Sequence, residues 1–253
     1  MAETGRTPGI LVTRPEPQAQ STLQAFSRLG WQVYHFPTIQ IEKINGFASE
    51  KTSERLIASD WLIFISQPAV RYFFQDFSAE DVSHLKIAAV GQATKNALVA
   101  KNIRVDACPE SATNSEALLE LPAFNQVNKQ NIIIVRGVGG RELLHQTLTN
   151  RGANISYLEV YERLPASPDK TLITQHWTND IDIVVCTSNQ LLENYLALAE
   201  PLLGSKIFNK PVLVISSRMQ AFAKQAGFSK IWLAEGPGND QMIKTIKTHL
   251  QLD

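Results

Sequence analysis

The stretch NIIIVRGVGGRELL (residues 131–144) has the same order of features as GILVTRPEPQAQSTL (residues 9–23). Each begins with an apolar run suited to a buried strand, places an arginine at the end of that run, and continues through a turn into the start of a helix. The two arginines, Arg14 and Arg136, lie 122 residues apart. This pattern predicts that one folding unit occurs twice in the chain.

An offset of 122 residues also relates the apolar run that ends at Ser66 to the run that ends at Ser188. After a short insertion, an offset of 125 residues relates IAAVGQATKNAL (residues 87–98) to VLVISSRMQAFA (residues 212–223). Few residues are identical, so the repeat is inferred from order and spacing together. Chance similarity between α/β units is the alternative explanation.

Within each copy, short apolar strands alternate with amphipathic helices. Strands that are nearly free of charge and bounded by helices are typical of parallel sheets covered on both faces. The sequence therefore predicts an α/β protein with two doubly wound parallel-sheet lobes. Right-handed crossovers place all strand-to-helix turns of a lobe at one edge of its sheet, which is where ligands bind in such folds.

The composition restricts the class of protein. The 24 basic and 24 acidic residues cancel, which argues against binding to nucleic acid or to a membrane surface, because such proteins carry a basic excess. Two cysteines, Cys108 and Cys186, are too few for a disulfide framework and lack metal-ligand spacing, so we expect two core residues and no metal site. The polar N-terminus and the absence of a long apolar run predict a soluble cytoplasmic chain that is not exported.

Hydrogen-bond donors are concentrated at the predicted strand-to-helix turns, where free backbone N–H groups and helix dipoles already favour anions. A single Ser, Thr or Asn at such a position is at least as often only a helix N-cap, and an arginine at a strand end can equally have a structural role. Their recurrence at turn after turn favours binding of an anionic ligand. The candidate binding residues are Arg14, Ser66, Gln67, Thr94, Arg136, Gly139, Gly140, Arg141, Ser188, Asn189 and Ser217.

A partial dinucleotide fingerprint occurs in RGVGGRELL (residues 136–144). Gly137 and Gly139 have the first spacing of the fingerprint, and Glu159 follows Gly139 at the distance expected for an acidic ribose ligand. The third glycine position is occupied by Glu142, whose charge would oppose a pyrophosphate at the start of the helix. A nucleotide-dependent enzyme is therefore the weaker alternative, and we expect no cofactor.

The set of turns resembles the uroporphyrinogen-III synthase family. The motifs VTRP, FISQPAV, AVGQAT, RGVGGRELL, YLEVYER and CTSNQLL occur in that family's order and cover nearly the whole chain. The sequence departs from the commonest family pattern at Gln67, where asparagine is usual, and at Ser216, where glycine is frequent. These departures concern individual contacts rather than the order of the motifs.

The resemblance implies two interleaved domains with a cleft between them and a two-stranded linker: residues 1–39 with 163–253, and residues 40–162. It also implies a lyase of tetrapyrrole (heme) biosynthesis that cyclises and dehydrates hydroxymethylbilane to uroporphyrinogen III. Ring D of the substrate would be reversed through a spiro intermediate, without a cofactor. The implied partners are this polycarboxylate bilane and, as a candidate, the preceding bilane-forming enzyme.

Tyr161 is the candidate catalytic residue. The residue 122 positions earlier is Ile39, so the tyrosine is not a structural requirement shared by both copies. Alternation in YLEVYER (residues 157–163) places Tyr157, Glu159 and Tyr161 on one face of a strand, so we expect Tyr161 to point away from the apolar side. The tyrosine of this motif is the one most often proposed as catalytic in the family. A tyrosine that only packs at the linker is the alternative.

A different class of function also fits the two-lobed pattern. The chain could be an anion-binding or sensor protein that closes on its ligand without chemistry. Only a synthase would convert the bilane mainly to the type III ring. Nothing in the sequence requires an oligomer, so we expect a monomer.

Overall fold

The computed structural model describes residues 7–16, 18–110 and 114–252. The chain divides into two compact units. The first unit is formed by the chain up to Gln40 together with the chain from Leu164 onward, and the second unit is the continuous segment Ile41–Arg163. Each unit contains one five-stranded sheet.

The strands are short, apart from one of 12 residues near the middle of the chain. In chain order they are β1 (Gly9–Val12), β2 (Gln32–His35), β3 (Ile39–Lys43), β4 (Trp61–Phe64), β5 (Lys86–Ala89), β6 (Asn131–Gly137), β7 (Asn154–Pro165), β8 (Ile183–Val185), β9 (Val212–Val214) and β10 (Ile231–Leu233).

Helices separate most of these strands. They are α1 (Gln18–Ser27), α2 (Glu50–Ile57), α3 (Gln67–Phe73), α4 (Gln92–Val99), α5 (Ser115–Leu119), α6 (Leu143–Asn150), α7 (Lys170–His176), α8 (Asn189–Leu203), α9 (Ser217–Gln225) and α10 (Asn239–Leu250).

The strand order is β10-β9-β8-β1-β2 in the first sheet and β3-β7-β6-β4-β5 in the second. In the first sheet, the pairs β1–β2, β1–β8, β8–β9 and β9–β10 are parallel. In the second sheet, the pairs β4–β5, β4–β6 and β6–β7 are parallel. The predicted α/β class with two sheets dominated by parallel pairs is confirmed, although β3 runs antiparallel to β7, since Ile44 N–H donates to Val160 and Ala166 N–H donates to Thr38.

The strand orders also support the repeat. The spacing of 122 residues relates β1 to β6, β2 to β7 and β4 to β8, and the spacing of 125 residues relates β5 to β9. With these equivalences, the order β9-β8-β1-β2 in the first sheet corresponds to β5-β4-β6-β7 in the second. An isolated parallel bridge from Ala88 to Ala107 lies beside β5 at the position that β10 has beside β9. Each unit therefore combines the beginning of one copy with the end of the other.

Both faces of the first sheet are covered by helices. Leu11 of β1 belongs to an apolar cluster that includes residues of α7, α8 and α9. Its neighbours Ile10 and Val12 belong to a second cluster, which includes residues of α1 and α10. Side chains of a strand point alternately to opposite faces, so this division explains why β1 reads as an unbroken apolar run.

The two cysteines differ in their burial. Both are free thiols, but only Cys186 is buried, whereas Cys108 is partly exposed. The expectation that both are core residues is wrong for Cys108, because it follows the isolated bridge at Ala107 at the edge of the second sheet and does not lie inside a strand.

Among the residues that the structure describes, no helix has both the length and the hydropathy that a membrane span requires.

Candidate active site

A pocket of about 350 Å³ lies at the carboxyl edge of the second sheet. It is bordered by the turns after β4, β5 and β6, by the start of α5 and by β7 between Tyr157 and Arg163, all of which belong to the second unit. This is the edge at which ligands bind in parallel α/β sheets. The predicted site residues that line it are Ser66, Arg136, Gly139, Gly140, Arg141 and Tyr161.

Two predicted residues of the same unit do not line this pocket. Gln67 is exposed, and its side-chain amide donates a hydrogen bond to the backbone oxygen of Ala93 at 3.3 Å. Thr94 is 4% exposed and lies in the first turn of α4. Their predicted roles in substrate binding therefore have no support from the geometry of the pocket.

The side chain of Tyr161 is 1% exposed, so the expectation that it points away from the apolar side is wrong. The pairing between β6 and β7 is irregular at this point, since Arg136 pairs with Glu159 but Gly137 pairs with Tyr161. Simple alternation therefore does not extend past Glu159. The tyrosine ring lies against Gly137, where a Cβ atom would come within 2.5 Å of Cε2 of the ring.

The hydroxyl of Tyr161 has two polar neighbours. Its oxygen lies 3.1 Å from Oγ of Ser66 and accepts a hydrogen bond of 3.2 Å from Nη2 of Arg163. Ser66 is also the N-cap of α3 and accepts a hydrogen bond from the N–H of Ala69 at 3.2 Å. Arg163 is not among the residues predicted from the sequence, although its position two residues after Tyr161 on the same strand is a signal that the two side chains share a face.

Arg136 is almost completely buried, at 2% exposure. Its guanidinium donates to the backbone oxygen of Gly137 at 3.1 Å, to Oε1 of Glu142 at 3.1 Å, and to the backbone oxygen of Gly139. The guanidinium carbon also lies 4.3 Å from the ring centroid of Tyr157, within the range of a cation–π contact. Arg136 therefore holds the loop that follows β6.

Glu142 accepts hydrogen bonds from both Arg136 and Tyr157. The hydroxyl of Tyr157 donates a hydrogen bond of 2.5 Å to Oε2 of Glu142. That hydrogen bond, together with Arg136, lowers the pKa of Glu142. Burial and the hydrogen bond to Glu142 raise the pKa of Tyr157 to about 12. The cluster thus contains one cation, one anion and one neutral phenol, so the buried charge of Arg136 has an internal counter-ion.

Two glycines let the loop turn around this arginine. Gly139 and Gly140 have φ values of +71° and +108°, which L side chains rarely adopt. A Cβ atom on Gly140 would also lie 3.0 Å from Nη2 of Arg136. The next residue, Arg141, points outward with a side chain that is 74% exposed, and it forms a 3.4 Å ion pair with the half-exposed Glu116. Arg141 rather than Arg136 is the accessible guanidinium of this loop.

Arg14, the repeat equivalent of Arg136, lies in the first unit and joins α1 to the turns that precede α8 and α10. It donates to Oγ1 of Thr187 at 3.1 Å, to Oγ1 of Thr22 at 2.8 Å and to the backbone oxygen of Pro237 at 3.1 Å. All three acceptors are neutral, and burial lowers the pKa of Arg14. These contacts indicate a structural role for Arg14, which links three segments of the first unit.

The remaining predicted residues of the first unit lie at helix starts. Ser188 is the N-cap of α8 and accepts from the N–H of Leu191. Ser216, rather than Ser217, is the N-cap of α9. Oδ1 of Asn189 is buried without a hydrogen-bond partner. Substrate binding by Ser188, Asn189 and Ser217 stays a prediction.

Within the part of the chain that the structure describes, no three His, Cys, Asp or Glu side chains are grouped so that they could hold a metal ion.

Comparison with known proteins gives one family. A family model described as uroporphyrinogen-III synthase HemD matches residues 20–244. The uroporphyrinogen-III synthase of Escherichia coli K12 is 29% identical over 246 residues, which cover 94% of this chain and 99% of that protein. The enzyme of the same name from Proteus mirabilis is 33% identical over 162 residues, which cover 61% of this chain and 80% of that protein.

Two solved structures share the fold. Uroporphyrinogen-III synthetase from Helicobacter pylori 26695 has a TM-score of 0.65 at 13% identity and covers 96% of this chain and 100% of its own. A mutant uroporphyrinogen III synthase from Thermus thermophilus has a TM-score of 0.59 at 16% identity and covers 97% of this chain and 99% of its own. Because the family model spans most of the chain and includes strands and helices of both sheets, the chain belongs to the uroporphyrinogen-III synthase family.

Proposed function

We propose that this chain cyclises hydroxymethylbilane to uroporphyrinogen III and that the pocket of the second unit holds the reacting end of the bilane. The observation that supports this assignment of the pocket is the hydroxyl of Tyr161. Tyr161 lines the pocket, its side chain is buried, and its hydroxyl is held between Ser66 and Arg163. A phenol held in this way is suited to proton transfer at a fixed position.

The reaction requires the protein to position the bilane and to supply one proton. Loss of the hydroxyl from ring A, driven by the pyrrole nitrogen, leaves an electrophilic azafulvene, and the departing hydroxyl takes up a proton and leaves as water. The substituted carbon of ring D then attacks to form a spiro intermediate. That intermediate fragments and closes again with ring D reversed. Simple closure in water gives the type I ring instead, so the protein must impose the conformation of the bilane.

We assign the proton donation to Tyr161. A neutral phenol can donate to the departing hydroxyl without presenting negative charge to the carboxylates of the bilane. The close contact with Gly137 holds the ring in place. The hydroxyl can therefore keep its position while the bilane changes shape around it.

The carboxylates of the bilane need cationic or N–H donors at the rim of the pocket. Arg141 is an exposed guanidinium there, and its ion pair with the half-exposed Glu116 is of a kind that contributes little and exchanges readily. We assign Arg136 a supporting role instead, because Glu142 already neutralises it and its N–H groups hold the loop at Gly137 and Gly139.

The activity is tested by incubating the purified chain with freshly prepared hydroxymethylbilane and separating the ring isomers after oxidation. We expect mainly the type III isomer, formed faster than in buffer alone. A protein that binds the bilane without catalysis would leave the type I isomer predominant and its rate of formation unchanged or slowed. That result would favour an anion-binding or sensor protein and would contradict the proposal.

We further propose that the chain is a cytoplasmic monomer and that it receives the bilane from the preceding enzyme of the pathway. Light scattering of the purified chain measures its mass directly. A dimer at working concentrations would contradict the monomer.

A further inference from the structure

Arg163 contacts the hydroxyl of Tyr161 and lines the same pocket. We propose that Arg163 is a positioning residue: it fixes the hydroxyl of Tyr161 so that the phenolic proton points into the pocket. This inference rests on the proposed catalytic role of Tyr161 and gives a role to the last residue of the motif YLEVYER (residues 157–163).

The donors and acceptors around the hydroxyl of Tyr161 support this direction of the proton. A guanidinium has only N–H donors, so Arg163 must donate to the oxygen of Tyr161. The oxygen of Ser66 already accepts from the N–H of Ala69 as the cap of α3. The hydroxyl hydrogen of Ser66 is therefore available for Tyr161, 3.1 Å away. We assign this hydrogen to the oxygen of Tyr161, which then has two donors and keeps its own proton for a third group.

The residues that the structure describes around this hydroxyl supply no competing acceptor within hydrogen-bond distance apart from Ser66. The neighbouring Tyr72, whose ring centroid lies 6.1 Å from that of Tyr161, donates its own hydroxyl to the backbone oxygen of Ile41 at 2.7 Å. Gly137 lies against the ring and prevents it from moving aside. We therefore infer that the proton is directed toward the pocket, which Tyr161 lines.

Charge supports the same assignment. Among the arginines of this pocket, Arg136 has Glu142 and Arg141 has Glu116 as a counter-ion. For Arg163, the described part of the chain supplies no carboxylate within 4 Å of the guanidinium, which instead lies 5.4 Å from the ring centroid of Tyr161. A cation at the phenol oxygen stabilises the negative charge that develops there as the proton leaves.

A double-mutant cycle tests whether Arg163 acts through Tyr161. The variants are Arg163→Met, Arg163→Lys, Tyr161→Phe and the double variant Tyr161→Phe with Arg163→Met. We expect Arg163→Met to lower kcat about 10-fold, the usual effect of one hydrogen bond to a charged group, with KM changed by less than about twofold. Arg163→Lys should restore part of kcat, because the ammonium can still donate to the phenol oxygen.

The decisive measurement is kcat in the Tyr161→Phe background. If Arg163 acts only through the hydroxyl, adding Arg163→Met there should change kcat by less than about twofold, the usual precision of additivity. Arg104 is the matched control, since its side chain is 89% exposed and pairs with Asp106 away from this pocket. We expect Arg104→Met to leave kcat and KM unchanged.

Two results would overturn the inference. In the first, Arg163→Met lowers kcat by the same factor with and without the hydroxyl of Tyr161. In the second, it raises KM with kcat unchanged, which would mean that Arg163 holds a carboxylate of the bilane itself. Both leave the proposed function intact as long as Tyr161→Phe alone is slow. If Tyr161→Phe turns over at the parent rate, the catalytic assignment and the role of Arg163 fail together.

Discussion

The ring of Tyr161 lies so close to Gly137 that a Cβ atom at position 137 would be 2.5 Å from Cε2 of the tyrosine. Gly137→Ala should therefore displace the ring and lower turnover, and it should destabilise the fold by about 1–3 kcal/mol, as overpacking usually does. Thermal unfolding and the rate of bilane cyclisation measure the two effects. The control is Gly238→Ala, where φ is −71° and the new Cβ would meet only the flexible end of Gln241. A parent-like Gly137→Ala would show that the ring has room to move.

Removal of the hydroxyl of Tyr161 should slow the reaction without unfolding the protein. We expect Tyr161→Phe to turn over about 10²-fold more slowly, at the lower end for loss of a general acid. The type III isomer should still predominate, because the conformation of the bilane is imposed by other groups. Tyr72→Phe is the matched control, since it removes a neighbouring hydroxyl that donates to the backbone of Ile41. Parent rate and isomer ratio in Tyr161→Phe would leave Tyr161 with only a packing role.

Glu142 supplies the counter-ion of the buried Arg136. Glu142→Gln should lower the melting temperature and loosen the loop at residues 137–142, because the buried guanidinium loses its charge partner. Hydrogen exchange of the loop amides measures the second effect. Glu116→Gln is the control, since the Glu116–Arg141 pair is exposed on both sides and such pairs contribute little. Equal melting temperatures for Glu142→Gln and the parent would contradict the role of Glu142.

Ionisation of Tyr157 should lower the free energy of unfolding in strongly alkaline solution. Its pKa is raised from 10.0 to about 12 in the folded chain, so between these values the unfolded state has lost a proton that the folded state retains. The contribution of Tyr157 to the free energy of unfolding is therefore fully present below about pH 10 and is lost as pH rises toward 12. Ultraviolet titration of the parent and of Tyr157→Phe should differ by one phenol that ionises near pH 12.

The comparison with Tyr157→Phe is needed because burial also raises the pKa of Cys186 to about 12. Cys186 is present in both proteins, so its contribution cancels in the difference. A difference centred near pH 10 would show that Glu142 and burial do not hold the proton on Tyr157.

Substitution of Arg14 distinguishes a structural role of this residue from a role in substrate binding. If the role of Arg14 is structural, Arg14→Lys should lose hydrogen bonds to Thr22, Thr187 and Pro237. The loss should destabilise the fold by at least about 1 kcal/mol. Denaturant unfolding gives this value. If Arg14 binds a carboxylate of the bilane, as the sequence suggested, KM should rise while the unfolding midpoint stays unchanged.

The positions of the strand-to-helix turns could be predicted from the sequence because they depend on local patterns. The apolar runs before Ser66 and Ser188 give strands that end where expected, and both serines cap the helices that follow. The spacing of the arginines likewise identified equivalent strands. These features involve residues that are close in sequence or related by the repeat.

The chemistry around the tyrosine could not be predicted because it depends on pairing between distant strands. The irregular register beside Arg136 buries Tyr161, and alternation along β7 gives no sign of it. Glu142 was recognised as an obstacle to a nucleotide but not as the counter-ion of Arg136. That role requires the loop to fold back on the arginine, which only the structure reveals.

The position of β1 has a consequence for synthesis on the ribosome. β1 is an inner strand of its sheet, between β2 and β8, yet β8 begins only at Ile183. The nascent chain must therefore keep one edge of β1 unpaired while the whole second unit, Ile41–Arg163, emerges and can fold as a continuous segment. Translation that stops after Arg163 would release a chain with one complete sheet and an open apolar strand edge, a species prone to aggregate.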